Sequence, residues 1–123
     1  MTAPLPNGQI YYLASPYTHP SPSIREQRYR DLQEYAGPLM VAGYFIYAPI
    51  LQTHPVAARF SLPVEFEWWE QYNRAFIQIS AGVIVADIPG WSESRGVRHE
   101  IALARKMLLP VWLLDIHGRF SQL

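Results

Sequence analysis

The segment "PGWSESRGVRHE", residues 89–100, follows six nearly apolar residues at 83–88 and ends on Glu100. It reads as a strand, a loop and the start of a helix. On a wheel of about 100° per residue, a helix over 96–108 carries an apolar stripe of Val97, Ile101, Ala104 and Leu108, widened by Leu103 and Met107. Arg98, His99, Arg105 and Lys106 occupy the other side. Glu100 falls between Ala104 and Met107, the only charged residue of the apolar sector. Ordinary readings compete for it. A carboxylate in a first turn favours the helix dipole, and a boundary glutamate can snorkel to water. A capping box would need Ser or Thr at 97, where Val97 stands. The dipole does not explain the inward direction. A carboxylate kept ionised near a helix N-terminus, and partly stripped of water, suits a nucleophile that attacks a sugar carbon bearing developing positive charge. Ser92, Ser94 and Gly96 bring hydroxyls and backbone N–H groups to the same place, a cradle for an anion or sugar hydroxyls. Ser and Gly are also ordinary turn residues.

Such a carboxylate needs a scaffold, and the rest of the chain supplies one. "QIYYLA" (9–14) is a short apolar and aromatic run, a strand by composition. "SPYTHPSPS" (15–23) holds Pro16, Pro20 and Pro22 and excludes regular structure. Ser23 with Glu26 resembles a capping box, and a helix over 24–42 follows, with Leu32, Tyr35, Ala36, Leu39 and Met40 on one stripe. Gly37 and Pro38 predict a kink or interruption, and Gly43 a stop. "YFIYAPI" (44–50) predicts a second strand, and 51–63 a loop with at most one helical turn. A helix spans 64–80, with Phe66, Trp69, Asn73, Phe76 and Ile77 near one face. "GVIVAD" (82–87) reads as a strand buried on both faces, and "PVWLLD" (110–115) as a fourth. The tail "IHGRFSQL" is unassigned. The alternation predicts an α/β fold: a three-layer α/β/α sandwich around a mostly parallel sheet of four to five strands, flavodoxin- or Rossmann-like. In such sheets ligands bind at the carboxyl ends of the strands, here the segments 15–22, 49–63 and 88–95.

Composition narrows the function. The 123 residues suffice for one domain, 1–123, with one core. Ten basic residues balance ten acidic ones, so no field draws a nucleic-acid polymer. The absence of cysteine removes disulfides and thiolate chemistry and fits the cytoplasm. The first ten residues show no signal-peptide pattern, and no apolar run approaches the roughly 20 residues of a membrane span. No His and carboxylate spacing suggests a metal, and no cofactor is expected.

These segments together resemble the nucleoside 2-deoxyribosyltransferase superfamily, including the 2'-deoxynucleoside 5'-phosphate N-hydrolases, and are closest to a small bacterial branch of it without an assigned function. The resemblance covers nearly the whole chain. It rests on "YYLASPYTH", "GYFIYAPILQTH", "FEWWEQYNRA" and "PGWSESRGVRHEIALA". The most specific part is Ser-x-Gly-Val-x-x-Glu between strand and helix. The resemblance implies that Glu100 is a nucleophile toward C1' of a 2'-deoxyribosyl group, that a glycosyl-enzyme forms, and that water or a second base then takes the sugar. It implies a phosphate contact for Ser94 and a site role for Ser15, with Pro16 beside it in the same loop. Tyr11 falls on the family's first-strand tyrosine. Tyr12 is an equally aromatic neighbour, and a slip of one residue changes the face. Two positions depart from the pattern. Asn73 stands where the family has an aspartate, with Glu70 one turn earlier; an amide can bond a sugar hydroxyl but is no base. Tyr17 stands where the N-hydrolases carry a phosphate-binding arginine, and Arg25, Arg28 and Arg95 are the candidates to replace it.

Other residues have bland readings beside functional ones. His19 and His54 each precede a proline on the site side; a solvated loop histidine is the ordinary reading, and ligand contact by His54 the functional one. Tyr17, Tyr47, Trp68, Trp69, Tyr72 and Trp91 are core or interface by default, with Tyr17 and Trp91 the choices for stacking on a base. "PGWSESRG" is loosely like the Pro-Gly-Gly loop of phosphoribohydrolases that release cytokinin bases, but it lacks the second glycine and the following Gly-Thr. The leading expectation is therefore N-glycosidic cleavage or transfer on a small deoxyribonucleoside or its 5'-monophosphate. Its rivals are a nucleotide- or ADP-ribose-like binding domain without turnover, and an interaction module built on the aromatic helix. Phe66, Trp68, Trp69 and Phe76 predict a homodimer or homotetramer in either case.

Overall fold

The computed structural model describes residues 5–123. Among them, strands and helices alternate as β1 (Ile10–Ala14), α1 (Pro22–Val41), β2 (Phe45–Tyr47), α2 (Pro49–Phe60), α3 (Phe66–Gln78), β3 (Gly82–Ala86), α4 (Arg95–Lys106), β4 (Val111–Leu114) and β5 (Phe120–Gln122). A 3₁₀ turn at Trp91–Glu93 leads into α4. The sheet order is β2-β1-β3-β4-β5. Its first four strands are parallel, and β5 returns antiparallel to β4. This is the flavodoxin-like order, with its switch point between β1 and β3, and the expected α/β/α sandwich.

Each strand shares its side chains between two cores, as the pleat requires. Tyr11, Leu13, Ile84 and Ala86 pack with Leu32, Tyr35, Ala36 and Leu39 of α1. Tyr12, Ala14, Val83 and Val85 pack with Ile77 of α3 and with Val97, Ile101 and Ala104 of α4. All five residues of β3 are buried, as a strand covered on both faces demands.

Four local expectations are corrected. Helix α1 starts at Pro22 behind Ser21 rather than Ser23. Glu26 does not turn back to a cap; it meets Arg30 and His54. Pro38 does not interrupt α1. It stands in the last turn, where its missing N–H removes one bond, and its own carbonyl still accepts from the Ala42 N–H at 3.0 Å. The expected strand 44–50 is three residues long, because Pro49 opens α2 as an N1 proline. The segment 51–63 is mostly that helix. Ile50, His54 and Ala57 are its buried face, at helical spacing, and the interior Pro55 hid the pattern. The unassigned tail makes β5 through a tight turn. Asp115 Oδ1 accepts from the His117 and Arg119 N–H groups, and Gly118 takes φ 80°. On α3, Trp68 and Tyr72 are exposed, while Phe66, Trp69 and Phe76 are half-buried. No helix among the described residues is long and apolar enough to cross a membrane.

Candidate active site

The approach to α4 is built to end a strand sharply and start a helix. Gly90 takes φ 98°, a conformation other residues enter at a cost. Ser94 then caps α4, its Oγ accepting from the Val97 N–H at 3.2 Å. With Arg95 as the first helical residue, Glu100 lies in the second turn on the stripe of Val97, Ile101 and Ala104. It is only 8% exposed. The inward direction read from the wheel is therefore real.

The dipole does not keep this carboxyl ionised as expected. Burial pushes Glu100 up to about 7, and a hydrogen bond from Tyr12 opposes the rise only in part. A macrodipole acts mainly over the first turn, and Glu100 lies past it, in an apolar wall. Glu100 is thus a group that changes charge near neutrality.

Its partners come from β1 and α3. The Tyr12 hydroxyl donates to Glu100 Oε2. Burial and the neighbouring Glu100 hold the Tyr12 phenol well above its usual value, so it keeps its proton and serves as a donor. The Asn73 amide also reaches Oε2, at 3.5 Å. Oε1 takes no hydrogen bond among the described residues. Tyr11 is a correction. It points to the opposite face of the sheet, where its hydroxyl donates to the Pro6 carbonyl at 2.8 Å and its ring meets Tyr44 edge-on. The alternation of the pleat gives the carboxylate to Tyr12.

Glu100 forms part of the wall of a cavity of about 530 Å³, within the usual range for a small ligand. Ser15, Tyr17, Asn73, Ser94 and Gly96 join it there, from the ends of β1 and β3 and from α3 and α4. Two buried polar atoms of wall residues have no partner among the described residues: Ser15 Oγ and Asn73 Oδ1. Buried groups left so are costly.

Other expected residues lie elsewhere. Pro16 is fully buried. Trp91 donates its indole N–H to Asp87 at 3.0 Å and packs against the β3–α4 core, so it offers no stacking face in the cavity. Ser92 is exposed and donates to Glu93. His54 is neither solvated nor in the wall. It is buried behind Tyr17, its Nδ1 2.7 Å from the Tyr17 hydroxyl.

The wall also holds residues the sequence did not single out as a group. His99, on the polar side of α4, brings its Nε2 to 3.2 Å from Glu70 Oε1, and Arg74 meets the same oxygen. Glu70 lies three residues before Asn73 on α3, so the signal was the helical spacing of the two. Phe66 and Trp69 complete that side, with the Trp69 N–H tied to the Pro63 carbonyl at 2.7 Å.

A protein-family model described as "Domain of unknown function (DUF1937)" matches residues 9–116. The chain belongs to this family. The matched stretch runs from β1 to just beyond β4 and includes every cavity residue named above. No curated protein matches the chain.

Proposed function

We propose that this protein cleaves or transfers the N-glycosidic bond of 2'-deoxyribonucleosides or their 5'-monophosphates, with Glu100 as nucleophile. The observation that carries the proposal is the environment of Glu100. A single buried carboxyl in a ligand-sized cavity has Oε2 fixed by Tyr12 and Asn73, while Oε1 is left without a partner.

The chemistry follows from that division. Ionised Oε1 forms a bond to C1' as the C1'–N bond breaks. The base departs with the bonding electrons and takes up a proton. Water then adds to C1' for hydrolysis, or a second base for transfer, and the carboxylate is released. Tyr12 and Asn73 hold the carboxylate plane while this happens, a positioning that can be worth orders of magnitude. Asn73 Oδ1 and Ser15 Oγ are suited to the sugar hydroxyls. Because Glu100 titrates near 7, the nucleophilic form grows as pH rises through neutrality.

The test is chromatographic detection of free base from a panel of deoxynucleosides and their 5'-monophosphates, with and without an acceptor base. Base release should fall at least roughly 10³-fold in Glu100→Ala, and the acceptor lane separates transfer from hydrolysis. A second reading, a nucleotide-binding domain without turnover, draws support from Asn73, which cannot act as a base. Ligand binding by calorimetry with no base release from any substrate would favour it.

A further inference from the structure

Behind the cavity wall lies a chain of three groups that the Glu100 chemistry does not use. Tyr17 lines the cavity. Its hydroxyl is 2.7 Å from His54 Nδ1, and His54 Nε2 is 3.0 Å from Glu26 Oε1. The Tyr29 ring lies over the imidazole, with centroids 4.5 Å apart. The buried His54 therefore has little freedom to choose other partners.

The direction of each hydrogen bond follows from the end of the chain. His54 and Arg30 hold the Glu26 carboxyl below its usual value, and an ionised carboxylate only accepts. The proton on His54 must then sit on Nε2. In a neutral imidazole the other nitrogen is a bare acceptor, so Tyr17 donates its O–H to Nδ1. That proton is committed away from the cavity, and the phenolic oxygen is left to accept. Burial pushes the Tyr17 phenol up, and the Arg25 guanidinium opposes the rise by its charge and as a hydrogen-bond donor. A donor at that oxygen fits a Tyr17 that gives its own proton to His54; it takes one lone pair and leaves the other for a ligand. In the wall carboxylates outnumber guanidiniums; Arg74 and Arg95 are paired with Glu70 and Glu67, and Arg28 donates to the Thr18 carbonyl at 3.1 Å.

We propose that Tyr17, oriented by His54 and Glu26, is a fixed hydrogen-bond acceptor of the site, which the ligand meets with a hydroxyl or N–H donor and not with an anion. The proposal rests on the nucleoside reading above and sharpens it, making Tyr17 a specificity residue and His54 and Glu26 its positioning residues.

Two measurements test it. Nitrogen-15 spectra of the histidine rings at about pH 8, above the ordinary histidine range, should show His54 protonated at Nε2 and bare at Nδ1. The Nδ1 signal should shift in Tyr17→Phe. Calorimetry should then compare 2'-deoxyadenosine with three analogues that each lack one donor: the 6-amino group, the 3'-hydroxyl or the 5'-hydroxyl. The protein should bind one analogue roughly 5- to 10-fold more weakly than the parent on account of Tyr17. Tyr17→Phe should abolish that difference and leave the other two. Glu26→Gln, an exposed change that never touches ligand, should narrow the same difference, because an amide permits either tautomer of His54. A His54 bare at Nε2, or protonated on both nitrogens, would overturn the proposal. So would three differences unchanged in Tyr17→Phe. If none of the four nucleosides binds and the panel of deoxynucleosides and 5'-monophosphates also gives neither binding nor base release, the nucleoside reading falls with this proposal. If they bind and release base while the Tyr17→Phe profile matches the parent, this proposal alone falls.

Discussion

Tyr11 and Tyr12 are one residue type at adjacent positions of one strand, exposed by only 1% and 0%, yet they belong to different parts of the molecule. Tyr11 faces α1, whose inward stripe of Leu32, Tyr35, Ala36 and Leu39 has no acid. Its hydroxyl is satisfied by a backbone carbonyl, and that side is closed core. Tyr12 faces α3 and α4, where the equivalent stripe includes Glu100. Its hydroxyl meets a carboxylate, and that side opens into the cavity at the end of β1. On one face the phenol stabilises packing. On the other it supports a group whose burial costs stability, and a cost of that kind is expected at a functional site.

The largest effect expected from this contrast is on stability against pH. Glu100 in the folded protein titrates near 7, against about 4.5 in an unfolded chain. A raised folded value means that the stabilising contribution is complete below about pH 4.5 and is lost as pH rises to about 7. The loss is about 3 kcal/mol, from the difference of the two values. Glu100→Gln removes the titration. Denaturant melts from pH 4 to 8 should show the parent losing about 3 kcal/mol more than this variant over that window. Parallel curves would mean that Glu100 is solvated, and the contrast between the two faces would collapse.

Next in size is a paired substitution of the tyrosines. Tyr12→Phe removes the donor that opposes the rise in Glu100, so the alkaline-rising limb of base release should move to higher pH. The rate at neutral pH should fall roughly 10²-fold through misplacement of the carboxylate. Tyr11→Phe should leave base release within about twofold and cost about 1 kcal/mol of stability, because the Pro6 carbonyl loses its partner. Equal effects on activity from both changes would break the assignment of the two faces.

The architecture was legible because its signals are periodic. The buried run of β3, the stripe of α4 and the strand–helix alternation each repeat a pattern that packing enforces. The inward Glu100 was legible for the same reason, as one charge in an apolar sector. What escaped depended on contacts between segments. The choice between Tyr11 and Tyr12 turns on a register of one residue, which the two neighbouring aromatics do not specify. Helix α2 was hidden because Pro49 and Pro55 read as breakers, although Pro49 is a favoured first residue and Ile50, His54 and Ala57 keep helical spacing. Trp91 looked like a stacking group because a loop tryptophan has no periodic environment to judge it by, and its N–H found Asp87 instead. His54 became informative only when α1 brought Glu26 to it.

The smallest expected effect separates two serines at helix starts. Ser94 caps α4 with a side-chain hydrogen bond to the Val97 N–H, whereas Ser21 precedes α1 with no such bond. Ser94→Ala should therefore cost about 1 kcal/mol by thermal or denaturant melting, and Ser21→Ala less than about half of that. Ser94 is also part of the cavity wall, so its loss should weaken nucleoside binding, while the Ser21 change should not. Ser94→Thr keeps the capping oxygen and the hydroxyl and should restore both properties. If Ser94→Thr recovers stability but not binding, the added methyl crowds the ligand and Ser94 lies against it. If Ser94→Ala loses stability but binds nucleoside like the parent, Ser94 is a cap alone, and the approach to Glu100 is shaped by Ser15, Tyr17 and Asn73 without it.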